Sequence, residues 1–136
     1  MGIVLESVFL KIYKSSWASA GQDPLTAESR IFFSVWVNDK TLSAHRIYYN
    51  IHALKLRKLK GYAIESRKFA DAFRREFKAH KANWPNVSTD FGPLTLMEGW
   101  IPLDEKKIQT DVAALATKFL TIENLIDDTL LKFQRT

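Results

Sequence analysis

Ile108, Val112, Leu115, Phe119, Ile122, Ile126 and Phe133 recur at alternating steps of four and three, a seam broken only at Thr129. That spacing holds an apolar stripe on one side of an α-helix for about 30 residues, or about 45 Å. Asp104 is placed to cap its start, and Glu105 beside it suits the positive end of the helix dipole. A helix of that length is longer than a domain of 136 residues needs. The sequence therefore predicts a bend near Thr121, which would cap a second segment, or an end that projects. The first half, 108–119, reads as core. The second half carries surplus apolar surface, and Ile122, Ile126, Leu130 and Phe133 form the candidate homodimer interface.

Such a helix needs an apolar surface to lie on, and the upstream sequence supplies strands. Ile3 to Tyr13 is rich in β-branched and aromatic residues at both parities, as in a strand covered on both sides. In a second strand Ile31, Phe33, Val35 and Val37 line one face, and Phe32, Ser34, Trp36 and Asn38 the other. A third runs from about Ser43 to Arg57, but its apolar parity slips after Ile51, which one extra residue near His52 or Ala53 would produce. A short helix from Asn50 to Lys60, closed by Gly61, is the alternative for part of it. Phe69, Phe73 and Phe77 then mark a helix from a Ser66 cap to about His80, and Leu94 to Ile101 reads as a fourth strand.

The expected fold is a single α+β domain over 1–136. It has an antiparallel sheet of about four strands in the order βββαβα, two helices on one face, and a long C-terminal helix. Hydrophobic residues at 46% and seventeen aromatic side chains fit a packed core, and there is no uncharged apolar run long enough to cross a membrane. The segment 1–13 has neither a basic leader nor a small-residue cleavage site, and is read as part of the fold. The chain has no cysteine, which excludes disulfides, thiolate nucleophiles and cysteine-based metal sites and fits a reducing, cytoplasmic setting.

No catalytic motif stands out. No serine sits in a Gly-x-Ser-x-Gly turn, and the five glycines are too scattered to cradle a phosphate. His45, His52 and His80 make no helical ligand pair, so neither a metal nor a cofactor is expected. The one clear Glu-x-Lys triplet, Glu76-Phe77-Lys78, falls in a helix. Glu6 and Glu98 are the only acids expected in the sheet.

Charge is the one asymmetry. Residues 45–81 hold eleven Lys or Arg against three acids, a net +8, while 1–44 is neutral and 82–136 carries −3. Lys55, Arg57, Lys58, Lys60, Arg67 and Lys68, with Tyr62 available for stacking, are therefore the candidate contacts for a nucleic acid or an acidic protein. The leading expectation is a non-enzymatic binding domain. The alternatives are a homodimeric scaffold using the last helix, and a small-ligand binder or hydrolase with an aromatic pocket of Trp36, Tyr49, Trp84 and Trp100.

Overall fold

The sheet is an antiparallel meander. The computed structural model describes residues 2–6 (backbone), 9–19, 23 and 26–135. In it β1 (Gly2–Glu6), β2 (Phe9–Tyr13), β3 (Arg30–Trp36), β4 (Arg46–Leu54) and β5 (Thr95–Pro102) are hydrogen-bonded neighbours in chain order. Four helices accompany them: α1 (Asp39–Ser43), α2 (Ser66–Phe77), α3 (Ile108–Leu120) and α4 (Glu123–Leu131). The chain thus forms the expected α+β fold, with an antiparallel sheet and a long C-terminal helical arm.

The stretch read as one strand over Ile3–Tyr13 is a hairpin, in which Leu5 lies opposite Leu10 and Ile3 opposite Ile12. Apolar residues at both parities suit two short strands as well as one, and Ser7-Val8 carries none of the Gly, Asn or Asp that mark a tight turn. Val8 lies outside the described residues, as do Gly21 and Pro24 of the following loop.

The parity slip after Ile51 has a different cause from the one expected. The sheet does have an irregularity there, but Ile51 faces Met97 while His52 faces Thr95, so the extra residue, Leu96, belongs to β5. Leu56 returns to the interior because β4 ends at Leu54. Lys55 then takes a left-handed conformation (φ 48°) that turns the chain into a single 3-10 turn at Leu56–Lys58. The Arg74 guanidinium satisfies the carbonyls of this irregular stretch, donating to the oxygens of Leu96, Thr95, Gly92 and Phe91 at 2.8–3.1 Å. Ser66 is the first residue of α2, not its cap; Glu65 holds the cap position and makes no capping bond.

One side of the sheet carries Leu10, Ile12, Ile31, Phe33, Val35, Ile47, Tyr49 and Ile51, all buried. They join the buried faces of α2, α3 and α4 in one core cluster. Phe33 stacks on Phe119 of α3 with ring centroids 4.4 Å apart and planes within 8°. The arm breaks after Thr121, whose hydroxyl donates to the Lys118 carbonyl and so closes α3 without capping α4.

The second half of the arm does not project. Ile122, Ile126 and Leu130 are 1%, 0% and 3% exposed, and Phe133 packs on Phe69 of α2. Even Thr129 is buried, its hydroxyl returned to the Leu125 carbonyl. Asp127 accepts from Trp17 Nε1 at 2.7 Å and from Lys14, tying α4 to the segment after β2. Of the four residues expected at a homodimer interface, Ile122, Ile126 and Leu130 are therefore interior and Phe133 is half-buried against the core, because the break lets α4 turn back over α2.

Gly99 leaves room beside it for the side chain of its cross-strand partner Tyr49 and for the Pro85 backbone. A Cβ built there would lie 2.2 Å from the Tyr49 hydroxyl oxygen and 3.0 Å from the Pro85 carbonyl oxygen, the two atoms joined by the Tyr49–Pro85 hydrogen bond. A Gly99→Ala variant should lose about 1–3 kcal/mol of stability, read from urea denaturation midpoints. An unchanged midpoint would show that this contact does not confine β5.

Candidate functional site

Successive residues of a strand face opposite sides, so the register that buries Phe33 and Tyr49 turns their neighbours to the other face. None of those outward residues belongs to the core cluster. They fall into three rows across the strands. In the first, Phe9 is opposite Trp36, Trp36 opposite Tyr48, and Tyr48 opposite Trp100. In the second, Lys11, Ser34, Asn50 and Glu98 follow one another in the same way. In the third, Phe32 is opposite His52 and His52 opposite Thr95.

The aromatic row is half-buried and bound together sideways. Trp36 and Tyr48 lie stacked at 5.6 Å, and the Arg46 guanidinium sits 3.8 Å over the Trp100 ring while donating to the Tyr48 hydroxyl at 3.3 Å. In the third row Phe32 packs 5.2 Å from the His52 ring, and the Lys11 ammonium lies 4.6 Å from the Phe32 ring centroid. Arg30 approaches that ring at 5.6 Å.

The polar row is closed by hydrogen bonds. The Ser34 hydroxyl donates to Asn50 Oδ1 at 2.5 Å, and the Asn50 amide nitrogen donates to Glu98 Oε1 at 3.2 Å and to His52 Nε2 at 2.9 Å. The Leu94 backbone also interacts with the His52 ring, which suits the tautomer in which Nε2 accepts from Asn50. Asn50 is 2% exposed and Ser34 1%, yet each finds partners, so the row is preorganised. Between the first and third rows lies an open depression of about 370 Å3, with Ser34 and Asn50 beneath it and Phe9, Phe32, Trp36 and Glu98 at its margins.

Burial is the main influence on His52, lowering its pKa; the Leu94 carbonyl and Glu98 raise it, and Lys11 and Arg30 lower it again. The net shift is downward, so the imidazole stays neutral under ordinary conditions. Ser34 gives its proton to an amide, and His52 has both nitrogens engaged. The arrangement thus offers fixed polar groups and ring faces on one surface, and at Ser34 and His52 no base is poised on a nucleophile. Among the described residues no three His, Asp or Glu side chains are grouped to hold a metal ion.

Comparison with protein-family models, with curated proteins and with solved structures finds no match.

The residues singled out from the sequence lie elsewhere, or divide between faces. Lys55 and Lys58 both hold Glu28, at 3.1 and 2.8 Å, and Lys68 pairs with Glu65 at 3.4 Å. Arg57, Lys60 and Arg67 are exposed and have no ion pair among the described residues. Lys55 and Arg57 line a separate hollow of about 340 Å3 beside the start of α2. Tyr62 packs against the core, and its backbone pairs with Gln134, so its ring is not a free stacking surface. The expected four-residue aromatic pocket does not form. Trp36 and Trp100 are outward, whereas Tyr49 and Trp84 are interior, 0% and 3% exposed with rings 5.1 Å apart. The cause is parity: adjacent Tyr48 and Tyr49 necessarily face opposite sides. Burial also pushes the Tyr49 hydroxyl well above its ordinary pKa, which suits a donor fixed on a carbonyl.

Sequence reading missed Lys11, Arg46, Asn50 and His52 as members of one site. A signal existed: Lys11, Ser34 and Asn50 are each flanked two residues away on both sides by a ring, Phe9 and Tyr13, Phe32 and Trp36, Tyr48 and His52. Their alignment depends on register, which single strands do not reveal.

Because the pKa of His52 is lowered in the folded state, the unfolded chain binds its proton first, and stability falls as pH drops below the ordinary value of 6.5. A His52→Gln variant should lose less stability between about pH 7.5 and about pH 5.5 than the parent, with urea midpoints compared at both pH values. Equal losses would mean that His52 is not held neutral by its burial.

Proposed function

We propose that this chain is a non-enzymatic binding domain that holds single-stranded nucleic acid on the outward face of its sheet. The observation that carries this reading is the aromatic row Phe9, Trp36, Tyr48 and Trp100 laid across four strands beside a row of fixed hydrogen-bonding groups. Unpaired bases are held by stacking on ring faces or guanidinium planes and by hydrogen bonds to their edges, and a sheet face offers both together. Arg46 on Trp100 supplies such a guanidinium plane.

Charge favours a polyanion over a neutral ligand. Among the described side chains, Lys11, Arg30 and Arg46 lie on or beside this face against Glu98, and the whole chain carries +5. The basic 45–81 segment enters this reading as flanking charge: Arg57, Lys60 and Arg67 attract phosphate from the periphery while the sheet makes the close contacts. An acidic protein would satisfy the same charges but would give the exposed rings no planar partner.

Fluorescence anisotropy of labelled RNA or DNA oligonucleotides of roughly a dozen nucleotides at low salt tests the proposal, with affinity expected to fall steeply as salt rises. Trp36→Ala, Trp100→Ala and Arg46→Ala should each weaken binding by roughly five- to a hundredfold, the loss expected for one stacked base. Lys58→Ala should weaken it only slightly, since Lys58 is already held by Glu28. No binding at low salt, binding indifferent to the two tryptophans, or preference for a neutral polysaccharide would overturn the proposal.

A further inference from the structure

The hydrogen bonds of the polar row leave a specific inventory to a ligand, and this inference rests on the nucleic-acid reading. Asn50 uses its oxygen on Ser34 and both amide hydrogens on His52 and Glu98, and His52 is satisfied at both nitrogens. What Asn50, His52 and Glu98 leave facing the depression is acceptor capacity, on the Glu98 carboxylate. Glu98 receives one hydrogen bond, on Oε1 from Asn50, and its Oε2 has no hydrogen-bond partner among the described residues. The Asn50 contact fixes the carboxylate at the margin of the depression, and the rings of Phe9, Phe32 and Trp36 flank the same space.

A half-buried carboxylate beside ring faces selects a base by its donors. Among the four common bases, guanine alone presents two adjacent N–H donors, N1–H and N2–H, on its pairing edge. Adenine and cytosine place a ring-nitrogen lone pair next to their amino group, which a carboxylate repels, and uracil has one N–H between two carbonyls. Lys11 lines the same depression with a positive charge, which favours a base bearing a carbonyl on the adjoining carbon. We infer that the depression between the first and third rows is a guanine subsite, in which the Glu98 carboxylate accepts N1–H and N2–H while the ring lies against the flanking aromatic side chains.

The test measures competition by uridine octamers carrying one central G, A, C or inosine, the last being guanine without its 2-amino group. The G octamer should bind about tenfold or more tighter than the A and C octamers, the discrimination typical of a bidentate base contact. Inosine, which keeps one of the two donors, should fall between. Glu98→Gln retains an oxygen for the Asn50 bond but replaces the second acceptor by a donor, and should abolish the G preference, read as the ratio of G-octamer to A- and C-octamer affinity measured on that variant. If that variant proves misfolded by circular dichroism, the inosine comparison on the unmodified protein still reads the N2–H contact. Equal affinity for all four octamers, inosine equal to G, or a G preference surviving in Glu98→Gln would overturn the subsite while leaving nucleic-acid binding in place. Absence of binding to every octamer at low salt would instead remove the reading on which it rests.

Discussion

Phe33 lies flat on Phe119, edge-on to Trp84 and tilted against Tyr49, near the middle of the sheet's inward face. The other layers take their places from this contact. It fixes α3 against β3, and with α3 placed, the break at Thr121 brings α4 back across α2 so that both halves of the arm bury their apolar stripe. Apolar area removed from water drives the docking, and rings bury more of it per residue than any other side chains. All three long helices consequently contribute to one side of the sheet, and the other side carries half-exposed rings and a hydrogen-bonded row.

The outward face is costly to build, which favours a functional reading. A buried amide such as that of Asn50 is tolerated only when every valence is met, and a buried imidazole only when neutral. Both conditions hold here because β3, β4 and β5 are in strict register through Ser34, Asn50 and Glu98. The displaced residue, Leu96, sits beyond Glu98, and Arg74 gathers the carbonyls that it disturbs. The side chains that would meet a ligand are thus held by strands, with two of them fixed by neighbours that never reach the surface. Such preorganisation lowers the entropy lost on binding.

Much of the fold was legible in the chain. The four-and-three spacing from Ile108 to Phe133, the Phe69, Phe73, Phe77 stripe and the alternation after Ile31 each appear as the element expected. The Ile3–Tyr13 hairpin was not legible, since its connection lacks turn chemistry, and neither was the assignment of the bulge, since an extra residue on β5 leaves no mark on the sequence of β4. The candidate site was read less well. Charge counting drew attention to residues 55–68, where Glu28 and Glu65 hold three of the lysines, and away from uncharged Ser34 and Asn50.

By itself the sequence determined which residues are apolar, at what period, and hence which elements form and which face of each must be covered, because burial of apolar surface and backbone hydrogen bonding are local demands with fixed spacings. Register was decided only by the tertiary structure. Whether Lys11, Ser34, Asn50 and Glu98 are scattered polar residues or one row depends on which residue of each strand lies opposite which. That is settled when the inward faces interdigitate with the helices, since a slip of one residue would exchange the two faces of a strand.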